Sequence, residues 1–235
     1  MEAAGLRWLA EADGIRVPEI LEVGTDPPSL SLQEISKGYL SDGGAEELGR
    51  ALAGMHGLGA ERFGSVPPGA PDSTLRIGLA ELELSAADSW HGFYASQILL
   101  PLTARARDTG NLSSADAGAV ECVCDRIEGL AGPAEQPARL HGDLWSGNVL
   151  ADANGDAWLV DPAAHGGHRE IDLAMLRLFG APSARIFAAY EEAEPLADGH
   201  AERIGLYQLS PLLVHALLFG GSYGASAGEA ARRYL

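Results

Sequence analysis

The sequence predicts an α+β fold in two unequal parts, and three observations predict it. Strand-like runs crowd into the first 40 residues. Helical spacing of apolar residues prevails from 41 to 235. One Asn-Gly hairpin, at 154–155, interrupts that helical part. The crossover falls near residues 34–42, which divides the chain into segments 1–40 and 41–235.

Residues 2–12 read as a helix with Leu6 and Leu9 on one side. The runs 16–24 (RVPEILEVG) and 29–35 (SLSLQEI) read as strands, separated by the turn signal Asp26-Pro27-Pro28. In 41–59, Leu48, Leu52 and Met55 recur at helical spacing and Gly57 offers an end. A Pro/Gly-rich loop covers 64–71, after which the pattern turns mostly helical. Candidate helices lie at 88–108 and 114–130, the second with a capping signal in Ser113 and Asp116. Further helices are expected near 171–180, 183–192, 200–220 and 225–234.

A chain of 235 residues with 46% hydrophobic content can bury one large core, or two small lobes sharing a cleft. It shows no signal-peptide core and no apolar run of membrane-spanning length. Its net charge of −17 repels phosphate backbones and anionic lipid, so nucleic acid and membranes are poor partners. A cationic substrate suits it. A nucleotide would need its own local positive charge or a metal ion. Lys37 is the one lysine among 16 basic residues. Cys122 and Cys124 stand two apart on a predicted helix, so their side chains diverge; neither a disulfide nor a shared metal follows, and a reducing cytoplasm fits. Nothing in the pattern specifies an oligomeric state.

The densest chemistry lies at 140–150, LHGDLWSGNVL, which runs into NVLADANGDAWLVD at 148–161. Read as a two-residue type I′ turn, Asn154-Gly155 sets Asn148 opposite Asp161, about 4.5–5.5 Å apart at Cα. An amide oxygen and a carboxylate then meet at the open end of the hairpin. Both are hard oxygen ligands suited to Mg²⁺. Asp143, five residues upstream, is free to accept a proton from an attacking hydroxyl. The plainer reading is an Asp-Gly loop capping a hairpin that Asp161-Pro162 ends. The order Asp, Asn, then Asp at a strand end is that of a kinase catalytic loop and its metal-binding Asp.

The segments HGDLWSGN (141–148) and DPAAHGGHREIDLAM (161–175) resemble the fructosamine kinase / ketosamine-3-kinase family. That family is a branch of the aminoglycoside-phosphotransferase-like, protein-kinase-like fold. EAAGLRWL (2–9), LGRALAGMH (48–56), WHGFY (90–94) and LLVHALLFGGSY (212–223) resemble it in the same order. The resemblance implies a two-lobe fold, with a partial N-lobe at 1–40 and a helical C-lobe at 41–235. It implies Asp143 as catalytic residue, and Asn148 and Asp161 as ligands of Mg²⁺. It implies Glu34, Ile35 and Ser36 as a hinge touching the adenine of ATP. Glu2 would be the helix glutamate that pairs with a nucleotide-binding lysine. The implied activity is phosphorylation of a ketosamine at the sugar 3-hydroxyl, after which the product releases its amine: a deglycation repair kinase.

Around the site, His141 is expected to brace the catalytic loop, and Trp145 to stack on the acceptor or to pack. His168 and Asp172 are expected to steady the metal loop. His56 is expected to pack at a helix end, and His215, Phe219 and Tyr223, at helical spacing, to lie in the core. Two departures from the family pattern stand out. Met1 directly precedes Glu2, so no glycine-rich loop or strand lysine comes before the helix, and Lys37 follows the hinge. The expectation is therefore a small lobe with an unpaired strand edge and weak or absent ATP turnover, from a late-assigned start or genuine degeneration into a non-catalytic binder. Ser96 and Ile98 also stand where many relatives carry an acidic residue and an Arg, on a helix expected to face the acceptor. An aminoglycoside or amino alcohol is the competing acceptor, since the acidic charge suits any of these cations.

Overall fold

The computed structural model describes residues 1–235. β1 (Ile20–Thr25) and β2 (Pro28–Leu32) pair as an antiparallel hairpin without a third strand. The sheet therefore has unpaired edges, as anticipated from the sequence, and Leu21 and Val23 are exposed on one of its faces.

Segment 1–40 has no core of its own. Trp8 and Leu9 of α1 (Glu2–Leu9) join Leu48, Leu52 and Met55 of α2 (Asp42–Gly57) in one apolar cluster. Leu144, Leu159 and Leu176 belong to the same cluster, so α1 shares its core with the segment 141–148 and the hairpin that follows it. The start of α2 is fixed by Ser41, whose Oγ accepts the Gly44 N–H at 2.9 Å, a cap worth about 1 kcal/mol. The same hydroxyl donates to the Gly155 carbonyl at 3.0 Å, tying α2 to the Asn-Gly turn. Along its length α2 packs on α7 (Arg185–Ala193), where Gly49 allows the Ile186 carbonyl against the helix backbone.

A second, larger cluster holds the remaining helices. One long helix runs from Trp90 to Asp108, as α3 (Trp90–Phe93), a wide π-helical stretch (Tyr94–Leu99) and α4 (Leu100–Asp108). Pro101 accounts for the widening, because it has no N–H for the preceding turn and its ring displaces that turn's carbonyl. α5 (Ser114–Arg126) starts at the expected cap, with Ser113 Oγ accepting the Asp116 N–H at 3.1 Å. Cys122 and Cys124 on α5 are both free thiols.

Three features differ from the sequence reading. Residues read as loop and helix form a hairpin, β3 (Thr74–Ile77) with β4 (Ala80–Glu83). The helix expected over 200–220 is two, α8 (His200–Tyr207) and α9 (Leu209–Phe219), broken at Gln208. β5 (Ala138–Leu140) pairs antiparallel with β8 (His165–Gly167), strands too short to carry a periodic signal. α6 (Glu170–Leu178) and α10 (Tyr223–Arg232) lie within a few residues of their expected places. No helix is long and apolar enough to cross a membrane.

Candidate active site

β5 delivers the chain to His141-Gly142-Asp143, and a single helical turn at Ser146–Asn148 leads into β6 (Val149–Ala151). β7 (Ala157–Leu159) returns the chain to Asp161. The register corrects the sequence reading by one residue. Val149 pairs with Leu159 and Ala151 with Ala157, and the Val160 N–H donates to the Asn148 carbonyl at 3.1 Å. Asn148 therefore stands opposite Val160, with Asp161 one position beyond. The cause is Asp152. Its Oδ1 accepts the N–H groups of Asn154 and Asp156, at 2.8 and 3.0 Å, and draws the turn into a three-residue loop. Gly155 alone takes the left-handed conformation, at φ 85°.

The loop is held from below. Asp172 on α6 is fully buried and accepts the backbone N–H groups of His141 (2.7 Å) and Gly142 (2.9 Å). Burial alone would raise its carboxyl. Contact with His56, the His141 ring nearby and the Gly142 N–H outweigh that and hold it below the usual carboxylate range. His141 braces from within: its Nδ1 accepts the Asp143 N–H at 3.3 Å and its Nε2 reaches the Val160 carbonyl at 3.0 Å. Burial holds this imidazole below its ordinary pKa, so the neutral ring with the proton on Nε2 satisfies both bonds. Gly142, at φ 83°, lets the Ala163 carbonyl pass where a Cβ would stand.

Three oxygen-bearing side chains converge on this frame. Asn148 donates its amide N–H to the Asp143 carbonyl (2.8 Å) and carboxylate (3.2 Å), and its Oδ1 makes no hydrogen bond within the protein. Asp161 is exposed, forms no ion pair, and sits at φ 52°, the one non-glycine residue in the left-handed region. Such a conformation costs about 1–2 kcal/mol and persists where the surroundings enforce it. Asp143 is raised to about 7, first by burial and then by the charge of Asp161, while its bond from Asn148 lowers it.

Glu2 completes the negative surface. Gly5, one turn further along α1, packs on Pro162 and Ala164 and so seats the helix against the Asp161 segment. The Glu2 carboxyl is raised by burial and then by Asp161. Its neighbour is thus a like charge. Lys37 is exposed on the linker, with its backbone bridged to Asp152. The Asp161 carboxylate and the free amide oxygen of Asn148, with Asp143 and Glu2 beside them, form a donor set that fits a hard divalent cation such as Mg²⁺.

The hinge residues Glu34, Ile35 and Ser36 lie on a linker without regular structure, with Glu34 and Ser36 exposed. The Gly38 N–H donates to the Ala151 carbonyl at 2.8 Å, which pins this linker to β6, the strand leading from Asn148.

An aromatic wall runs from Trp145 to His215, which lines the same cavity as Asp143. Trp145 is 38% exposed and its ring lies over Gly147, where any Cβ would meet it. It meets Phe179 edge-on at 6.2 Å between centroids. Phe179 in turn contacts His215 (4.7 Å), which contacts Tyr223 (5.0 Å) and Phe219 (5.4 Å). His215, Phe219 and Tyr223 were expected in the core: Tyr223 is half-buried against it and His215 is half-buried, whereas Phe219 is 68% exposed.

His168 is a further correction. Its ring is buried against Trp90 and Tyr207, and its Nε2 lies 3.7 Å from Glu135, with no hydrogen bond to residues 141–148 or Asp161. Glu135, His168 and Glu170 lie close enough together to hold a metal, but the carboxylates are already held bidentately by Arg169 and Arg203, so the cluster is an ion-pair network. His56 was expected only to pack. It is buried, with Nδ1 2.8 Å from the Tyr190 hydroxyl and Nε2 3.2 Å from Asp172 Oδ2. A lone histidine near a helix end carries no sequence signal of such a partner.

Comparison with known proteins places the chain in a family. The family model described as fructosamine kinase matches residues 1–235. A protein named as a probable ketoamine kinase in Thermus thermophilus is 34% identical over 236 residues, covering 94% of this chain and 77% of its own length. The crystal structure of a fructosamine-3-kinase candidate from Thermobifida fusca superposes with a TM-score of 0.91 at 43% identity, over 99% of this chain and 78% of that one. A choline/ethanolamine kinase family protein from Mesorhizobium loti, at 18% identity, shares the fold with a TM-score of 0.62 over 98% of this chain and 77% of that one. The fold is therefore protein-kinase-like, and this chain belongs to the fructosamine kinase family of phosphotransferases.

Proposed function

We propose that this protein transfers the γ-phosphoryl group of ATP to the 3-hydroxyl of a ketosamine. The observation that carries this reading is the convergence of Asp143, the unbonded Oδ1 of Asn148 and Asp161 on one braced loop. Asp143 orients the hydroxyl and accepts its proton as the oxygen attacks phosphorus. The new O–P bond forms as the bond to the β-phosphate oxygen breaks, and ADP leaves with that electron pair. Asn148 and Asp161 would hold Mg²⁺, which supplies neutralising charge to the phosphates. The linker at Glu34, Ile35 and Ser36 would meet the adenine through backbone groups, and Glu2 would face the phosphate side. His141 and Asp172 position the loop. The names given to relatives, ketoamine kinase and fructosamine-3-kinase, support the acceptor.

The aromatic wall supports it as well. A ketosamine carries a protonatable amine beside a sugar, and ring faces favour such a cation. The 3-phosphorylated ketosamine would then release its amine, which makes the reaction a deglycation repair. The test is an acceptor panel with labelled ATP and Mg²⁺. Phosphorylation of a fructose–amine adduct at O3 is expected. Preference for an aminoglycoside or amino alcohol would overturn the choice of acceptor.

A further inference from the structure

An apolar cavity opens beside Asp143, which forms part of its lining. Leu75, Ile77 and Leu82 of the β3–β4 hairpin cover it. Ile98 and Leu102 of the long helix and Val214 of α9 form its sides. Polar groups gather around Gly142 and Asp143, with Ser210 and His215. The space is about 40 Å³. An apolar cavity of roughly 150 Å³ takes a benzene ring, so this one admits a short alkyl group and no aromatic ring.

A ketosamine presents two arms to such a space. The sugar arm carries hydroxyls, and apolar walls give them no replacement for the water they would lose. The amine arm lies only two carbons from the reacting C3, through C2 and C1, so whatever is attached to the nitrogen begins beside Asp143. Only that arm can be free of hydroxyls. We infer that the cavity beneath the β3–β4 hairpin is the subsite for the N-substituent of the acceptor, and that it selects ketosamines bearing a short aliphatic group. The inference rests on the ketosamine reading of the active site and specifies its substrate class. It also gives the hairpin a role, because Ile77, half-buried at the rim, sets the depth available.

The experiment uses 1-deoxy-1-(alkylamino)fructoses from N-methyl to N-butyl, with N-(2-hydroxyethyl) as the polar match to N-propyl. Binding is read by calorimetry and phosphorylation with ATP and Mg²⁺ on the same compounds. Affinity should rise about fourfold per added methylene until the cavity is filled. The hydroxyethyl compound should bind at least about tenfold more weakly than N-propyl. Ile77→Trp should flatten the series, and Ile77→Ala, which needs no extra room, should extend the rise by a further carbon. Ketosamine phosphorylation with a flat series, or equal binding of hydroxyethyl and propyl, overturns the subsite alone. Neither binding nor phosphorylation of any ketosamine overturns the reaction reading and the subsite together.

Discussion

Nε2 of His56 lies 3.2 Å from Oδ2 of Asp172, and that same oxygen accepts the backbone N–H of His141 at 2.7 Å. A residue at the end of α2 is thus one side chain away from the loop that carries Asp143. Both partners are buried, and Tyr190 fixes the other ring nitrogen. Removing the imidazole leaves the buried Asp172 carboxylate with only its two backbone N–H donors, which costs more than the bond itself was worth. His56→Ala should lower unfolding free energy by about 2–4 kcal/mol in urea titration. It should also lower kcat more than it changes KM, because the loop loses its support and the acceptor wall does not. His56→Asn, which keeps a donor, should recover part of both.

Asp143 gives a pH dependence of stability with a definite sign. Its folded carboxyl titrates at about 7, raised by burial and then by Asp161. The unfolded value is about 4. A raised carboxyl contributes stability below the unfolded value and loses it as pH rises through the folded one. Asp143→Asn should therefore raise Tm at about pH 8, by the equivalent of roughly 1–3 kcal/mol, and the gain should vanish below about pH 4. Thermal melts across this range check it. A variant that is equally stabilised at both ends would contradict the assignment of burial cost to this carboxyl.

The Asn-Gly turn offers a direct comparison of two substitutions. Gly155 is left-handed and packs on Ser41, whereas Asn154 has negative φ. Gly155→Ala should cost about 1–3 kcal/mol, and Asn154→Ala less than about 0.5 kcal/mol. A two-residue type I′ turn would make both costly. Chemical denaturation of the pair distinguishes the two registers.

That turn also shows how far the sequence is readable. Asn-Gly marks a hairpin, and the hairpin does bring Asn148 and Asp161 to one edge. The register depends on Asp152, whose side chain bonds two backbone N–H groups, and no periodicity reports that. Ser113 is legible as a cap because its residue type and its spacing to Asp116 suit a helix start, and the structure has that bond. The β3–β4 hairpin is hidden, although Leu75 and Ile77 alternate before Gly78, because the helical patterns that follow dominate. His215, Phe219 and Tyr223 have the spacing of a buried stripe. Exposure alone separates a wall from a core, and spacing does not encode exposure. His168 and Asp172 are four residues apart on one motif, yet only Asp172 reaches the loop.

The aromatic wall predicts a selective loss on the acceptor side. Trp145→Ala should raise the ketosamine KM about tenfold, equivalent to about 1.4 kcal/mol, and leave the KM for ATP within about twofold. Steady-state kinetics with each substrate varied in turn checks this. Equal effects on both would place Trp145 in packing alone.

The central claim is that Asp143 positions and deprotonates the acceptor hydroxyl. Its most direct test is the rate of phosphoryl transfer from ATP to a fructose–amine adduct by Asp143→Asn, measured beside ketosamine binding by calorimetry. The account predicts a fall in kcat of about 10²–10⁴-fold with ketosamine affinity within about threefold of the parent. A variant that turns over ketosamine at the parent's rate would contradict it.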